Sequence, residues 1–134
     1  MVSRKQQTDN AVRFAAAKAA YIESIKVANT TWAFLKQERE NLKILRSCIR
    51  RLLNDMERCP AENRGALLAS LAEVQNTAGL IAENSGALKA KVTMLNQQTA
   101  SLREQFPRFG GAGVRYYQHL QAFRETRLLK RENF

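Results

Sequence analysis

Histidine, cysteine, proline and glycine are all scarce in this chain, and each shortage excludes something. The single histidine, His119, has no cysteine nearby and no regularly spaced carboxylate. A metal or acid–base centre needs convergent ligands, so none is expected around it. Cys48 and Cys59 lie on one expected helix, ~16 Å apart at 1.5 Å per residue, which is too far for a disulfide. They lack a metal-ligand spacing and read as small residues at or near a helix seam. Unpaired cysteines point to a reducing intracellular compartment, cytoplasmic or nuclear. "GGAG" at 110–113 lacks the Lys-Ser/Thr of a phosphate-binding loop and follows no strand, so it reads as a hinge. No enzymatic activity and no cofactor are expected.

Long apolar runs are missing too. None approaches the ~20 residues of a membrane span, so membrane insertion is not expected. The opening stretch, "MVSRKQQTDNAVRFAAAKAAY", has no secretory apolar core. It is basic and alanine-rich, which leaves organelle import open. Asp9 and Glu23 interrupt the acid-poor pattern of a transit peptide, however, and the same periodicity continues beyond it. A retained helix is the better reading.

Acid is the last thing in short supply. The chain holds 22 Lys and Arg against 12 Asp and Glu. That imbalance calls for an acidic partner: nucleic acid, an acidic protein surface or an anionic membrane. It is uneven: residues 1–58 carry 12 basic and 6 acidic side chains, 59–106 carry 4 of each, and 107–134 carry 6 and 2. The middle is neutral.

What remains is rich in Ala, Leu, Lys, Arg, Glu and Gln, the residues that favour helix. Phe14, Tyr21, Ala28, Leu35, Leu42, Ile49 and Met56 recur at seven-residue intervals. A companion row changes sides along them. It lies four residues on at Ile25 and Trp32, and three residues on at Leu45, Leu52 and Cys59. Between these, Glu38, Arg39 and Arg46 make the seam polar. Helix 1 is predicted from about residue 8 to 58, with Thr8 or Asp9 as its N-cap.

Pro60 then suits the first position of a second helix. Leu67, Val74, Ile81, Leu88, Leu95 and Leu102 form one row of helix 2, which runs from about 60 to 106. Leu71, Ala78, Ser85, Val92, Thr99 and Phe106 form the other, and so sustained a heptad pattern marks a coiled coil. Two long helices with a short joint predict an all-α fold, a long antiparallel helical hairpin over residues 1–106. Ile22, Phe34, Ile44 and Cys48 lie off its seam and leave apolar surface to cover. Residues 107–113 read as a Pro/Gly hinge, and 114–134 as a short basic, aromatic C-terminal helix that either folds back or projects.

Three surfaces stand out. Lys36, Arg39, Lys43, Arg46 and Arg50 are spaced 3, 4, 3, 4 and share one helix face beside the seam. They suit an acidic partner or phosphate. Gly65, Ala72, Gly79, Gly86, Thr93 and Ala100 recur every seventh residue, ~130° from the centre of the helix 2 seam. Small residues there admit a close neighbour, so Ala72, Gly79, Gly86 and Thr93 are candidates for partner packing. In the tail, Tyr116, Tyr117, Leu120, Phe123, Arg124 and Arg127 mix rings with charge, a pattern suited to protein docking or single-stranded nucleic acid. The expected role is a non-enzymatic structural or adaptor subunit of a larger helical assembly, with helical partners or self-association. A nucleic-acid-binding module using the basic stripe and tail is the alternative.

Overall fold

A computed structural model describes residues 3–132, with side chains described through Phe123. The protein is all-α. Helix α1 spans Arg4–Arg58, α2 spans Arg64–Gln105 and α3 spans Gly111–Glu132, with short 3-10 turns at Ala61–Asn63 and Phe106–Phe109. The two long helices pack against each other as an antiparallel hairpin, and the third is short.

The ends of these elements follow local chemistry, not always the chemistry expected. Helix α1 begins earlier than Thr8, because Ser3 and Gln6 form a capping box. Ser3 Oγ accepts from the Gln6 amide at 3.2 Å, and Gln6 Oε1 accepts from the Ser3 amide at 3.4 Å. This satisfies two amides that would otherwise lack partners. Thr8 lies inside the helix, where its hydroxyl donates to the Arg4 carbonyl. Pro60, extended at ψ 146°, stands just outside the 3-10 turn and not at its first position.

Residues 107–113 are largely helical. Pro107 sits in the first turn of a 3-10 helix, where its missing N–H is harmless. Only Gly110 leaves helical geometry, at φ +88°, and α3 starts at once on Gly111. Reversal at a single left-handed residue requires glycine.

The chain forms two compact units: residues 1–28 with 94–134, and Asn29–Thr93. In the first, α1 and α2 meet through Tyr21, Ala28, Leu95 and Phe106, all buried. Thr99 donates its hydroxyl to the Leu95 carbonyl at 2.8 Å, so Ser24, 2.5 Å away, donates to Thr99. In the second unit, Leu35, Leu71 and Ala78 are buried, with Leu42, Ile49, Val74 and Ile81 half-buried along the same rows.

The companion row of α1 does not change sides. Ala17, Ser24, Thr31 and Glu38, each three residues beyond the main row, are half-buried or buried, continuing Leu45, Leu52 and Cys59. Thr31 is 5% exposed while Trp32 is 40% exposed. Small hydroxyl side chains fit between closely packed helices where an indole does not. The expected polar seam comes from Glu38. Its carboxylate accepts from Asn84 at 3.1 Å and from Asn41 at 3.4 Å, and Gln37 donates to Asn41 at 3.1 Å. A polar layer of this kind sets helix register at some cost in stability.

Ser85 belongs to the inner row of α2 that holds Leu71 and Ala78, and its buried Oγ has no hydrogen-bond partner. Leaving a buried hydroxyl unsatisfied costs about 1–3 kcal/mol. Ser85→Ala is therefore expected to stabilise the protein by about 1 kcal/mol. Thermal unfolding measures it, and a lowered melting temperature would contradict the packing described.

Candidate interaction surfaces

In unit Asn29–Thr93, all five side chains of the basic stripe are exposed. Among the described residues, none of Lys36, Arg39, Lys43, Arg46 or Arg50 lies within ion-pair distance of a carboxylate. Of the two acids that adjoin Arg39 in sequence, Glu38 is turned into the polar layer and Glu40 is exposed. Trp32 begins the stripe: Lys36 Nζ lies 5.6 Å, and Arg39 Cζ 5.5 Å, from the centre of its ring. Such contacts pre-order the cations without neutralising them.

The helix pairing places a second feature beside the stripe. Asn41 and Asn84, each immediately before an inward row, converge on Glu38 and so mark one edge of the helix pair. The opposite edge follows from the antiparallel register. Along it, Arg39 faces the level of Ala82, Arg46 that of Gln75, and Leu53 that of Leu68. One step further out lie Lys36, Lys43 and Arg50 on α1, and Ala72, Gly79 and Gly86 on α2. The basic stripe and the small-residue stripe therefore share one side of this unit. Leu53 and Leu68, 46% and 52% exposed, close one end of that side with apolar surface.

Beyond the adjacent residues and the surrounding turn of helix backbone, nothing lies within 4 Å of the position a Cβ would take at Gly65, Gly79 or Gly86. The small-residue stripe thus faces open space within the chain. Ala72 and Thr93 are exposed with it, and the Thr93 hydroxyl donates to its own helix at the Lys89 carbonyl. Phe34 and Ile44, 61% and 59% exposed, add apolar surface elsewhere on α1.

In the other unit, the tail residues divide. Tyr116 is taken up by the fold. Its ring stands edge-on to Phe106 at 4.9 Å and to Phe14 at 5.7 Å, and Tyr21 completes the cluster 5.4 Å from Phe106. Burial pushes the Tyr116 phenol above its ordinary pKa of 10.0, and the neighbouring Tyr21 adds to the rise. The hydroxyl thus stays neutral to a higher pH in the folded chain than in the unfolded one. Tyr117 is half-buried, donating to Glu104 at 3.1 Å and accepting from Gln121 at 2.7 Å. Leu120 and Phe123 remain on an open groove, while the side chains of Arg124 and Arg127 lie outside the described residues. The third helix therefore folds back within this unit.

The cluster carried a readable signal. Phe14 and Tyr21 stand early in the first seam and Phe106 ends the second, so an antiparallel hairpin must bring them together. Arg103, by contrast, gave none. It borders the helix 2 seam in sequence, yet its side chain is only 14% exposed.

His119 is exposed, and no cluster of three or more potential metal ligands occurs among the described residues. No helix of the described residues is long and apolar enough to cross a membrane. The molecule is thus defined by its fold class, a helical hairpin with a folded-back third helix, and by open charged and apolar faces. No protein-family model, curated protein or solved structure matches the chain.

Proposed function

We propose that this chain is a non-enzymatic structural or adaptor subunit that contributes its hairpin to a larger helical assembly. The observation that supports this most is the shared side of unit Asn29–Thr93, where five exposed cations without ion pairs run beside an uncharged wall containing Gly79 and Gly86. A partner helix lying there would approach the glycine wall closely and turn carboxylates toward the stripe. Successive stripe residues are one helical turn apart, ~5.4 Å, which is also the spacing of carboxylates three or four residues apart on a neighbouring helix. An intracellular setting, cytoplasmic or nuclear, belongs to the same reading.

A second reading, binding of single-stranded nucleic acid, is favoured by Trp32, whose half-open ring sits among cations and offers a base a stacking surface. It leaves Leu53, Leu68 and the glycine wall in water, which is why it ranks second.

Gly79→Leu combined with Gly86→Leu separates the readings. Both positions face open space, where an added Cβ meets no neighbouring element of the chain. Removing helix-interior glycine stabilises by about 1 kcal/mol per site. The double variant is therefore expected to melt higher than the parent while its assembly, read by light scattering with the co-purifying partner, weakens. Improvement in both stability and assembly would sink the packing idea. Retained affinity for an oligonucleotide, falling steeply with salt, would favour the second reading.

A further inference from the structure

The unit formed by residues 1–28 and 94–134 carries an open groove that the assembly reading does not use. It encloses about 590 Å³ between all three helices. Ile22 and Ile25 line it from α1, Arg103 from α2, and Tyr116, Leu120 and Phe123 from α3. Two of these apolar side chains are substantially open to water, Ile22 at 39% and Phe123 at 59%.

Asn96, Thr99 and Arg103 interrupt the apolar lining, and Arg103 is the one cation among the lining residues. Its Nε is buried without a hydrogen-bond acceptor. The nearest carboxylate oxygen, Glu104 Oε1, lies at 3.8 Å, an ion-pair distance but too long for a hydrogen bond. The other oxygen of Glu104 already accepts from Tyr117. An unfilled donor on a largely buried guanidinium costs free energy, and a carboxylate is the group whose geometry fits it. Lys18, whose Nζ stands 5.0 Å over the Tyr116 ring, adds a second cation beside the groove. Over the whole unit, 12 Lys and Arg face 5 Asp and Glu.

We propose that this groove docks an acidic amphipathic helix of a partner protein. An apolar side chain of that helix fills the space between Ile22, Ile25 and Phe123, and one of its carboxylates pairs with the part of the Arg103 guanidinium that stays open to the groove. Charge complementarity sets the acid, and the apolar walls demand a side chain that a sugar–phosphate strand does not offer. Helical walls on every side favour a helix laid in the groove.

The test uses the full chain and a fluorescein-labelled helical peptide of about 20 residues, with Leu and Phe one turn apart along one face and Glu flanking them. Anisotropy is read for this peptide, for its Glu→Gln and Glu→Lys versions, for a thymidine oligonucleotide and for oleate. The Glu peptide is expected to bind, and the Gln and Lys versions to bind more weakly. Arg103→Gln is expected to weaken binding by about tenfold or more, as loss of a desolvated charge pair does, without lowering the melting temperature. Ile22→Glu is expected to block binding. Equal binding by Arg103→Gln would overturn the proposal, as would a marked drop in its melting temperature, since Arg103 would then be structural. Binding of the oligonucleotide or oleate in preference to the peptide would overturn it too. Stripe reversal (Arg39→Glu, Lys43→Glu, Arg46→Glu) must leave peptide binding intact. If reversal abolishes it, the peptide sits on the other unit, and this proposal fails while the assembly reading stands.

Discussion

Phe106→Ala is expected to destabilise the protein by about 3–5 kcal/mol, the range for removing a large aromatic side chain from a core. Phe106 is completely buried and touches every other ring of its cluster: Phe14 at 5.9 Å, Tyr21 at 5.4 Å and Tyr116 at 4.9 Å between centroids. All three pairs are edge-to-face, a geometry worth about 0.5–1.5 kcal/mol per pair beyond the area buried. The side chain also ends the α2 seam and begins the turn that returns the chain as α3. Its loss therefore removes the common floor of three helices. The protein supplies its own reporters: Tyr21, Tyr116 and Tyr117 all lie in this unit, whereas Trp32 lies in unit Asn29–Thr93. Urea unfolding followed by tyrosine near-ultraviolet dichroism and by Trp32 fluorescence should show the tyrosine transition at much lower denaturant. A tyrosine transition unchanged from the parent would refute the cluster.

Gly113→Ala is expected to be nearly as damaging, although alanine usually improves a helix. Gly113 is buried within the first turn of α3, and a Cβ there would collide with the carbonyl oxygen and carbon of Phe106. Backbone cannot rotate away as a side chain can, so α3 must shift from the turn that carries Phe106. Overpacking costs about 1–3 kcal/mol or more where the surroundings cannot give. We expect about 3 kcal/mol here, against a gain of about 1 kcal/mol for Gly79→Ala in open space. Thermal melting of the two variants side by side gives the comparison. Equal, positive shifts would mean that α3 does not dock against Phe106.

The long seams were legible because a heptad repeat is geometry written in sequence. All twelve expected inward positions of the second seam, from Leu67 on α2 to Phe106 just beyond its end, are buried or half-buried, as is every position of the main α1 row. Trp32 departs from its expected inward place because size decides there as well as hydrophobicity: Thr31 takes the inward place, and the larger indole lies outside beside the cations. Gly113 reads in sequence as one more helix breaker. Only the placement of the Phe106 carbonyl reveals a position reserved for lack of a side chain.

The candidate surfaces follow the same division. Spacing alone put the five cations on one face and the glycines on another. That the two faces share a side depends on which edge Asn41 and Asn84 close, and a single helix carries no such information. Tyr116 was legible as an aromatic anchor but not as one already spent within the fold. The unfilled donor of Arg103 is likewise a product of packing.

The proposed assembly requires that a protein helix occupy the side of unit Asn29–Thr93 shared by the cations and the glycines. A benzophenone photo-crosslinker installed in place of Ala82, between the two stripes, addresses it in the cell. A nuclease-resistant conjugate to an acidic helical segment of a protein, or of a second copy, is expected, and it should be lost when Gly79 and Gly86 are both replaced by leucine. A nuclease-sensitive conjugate, or one that survives those substitutions undiminished, would contradict it.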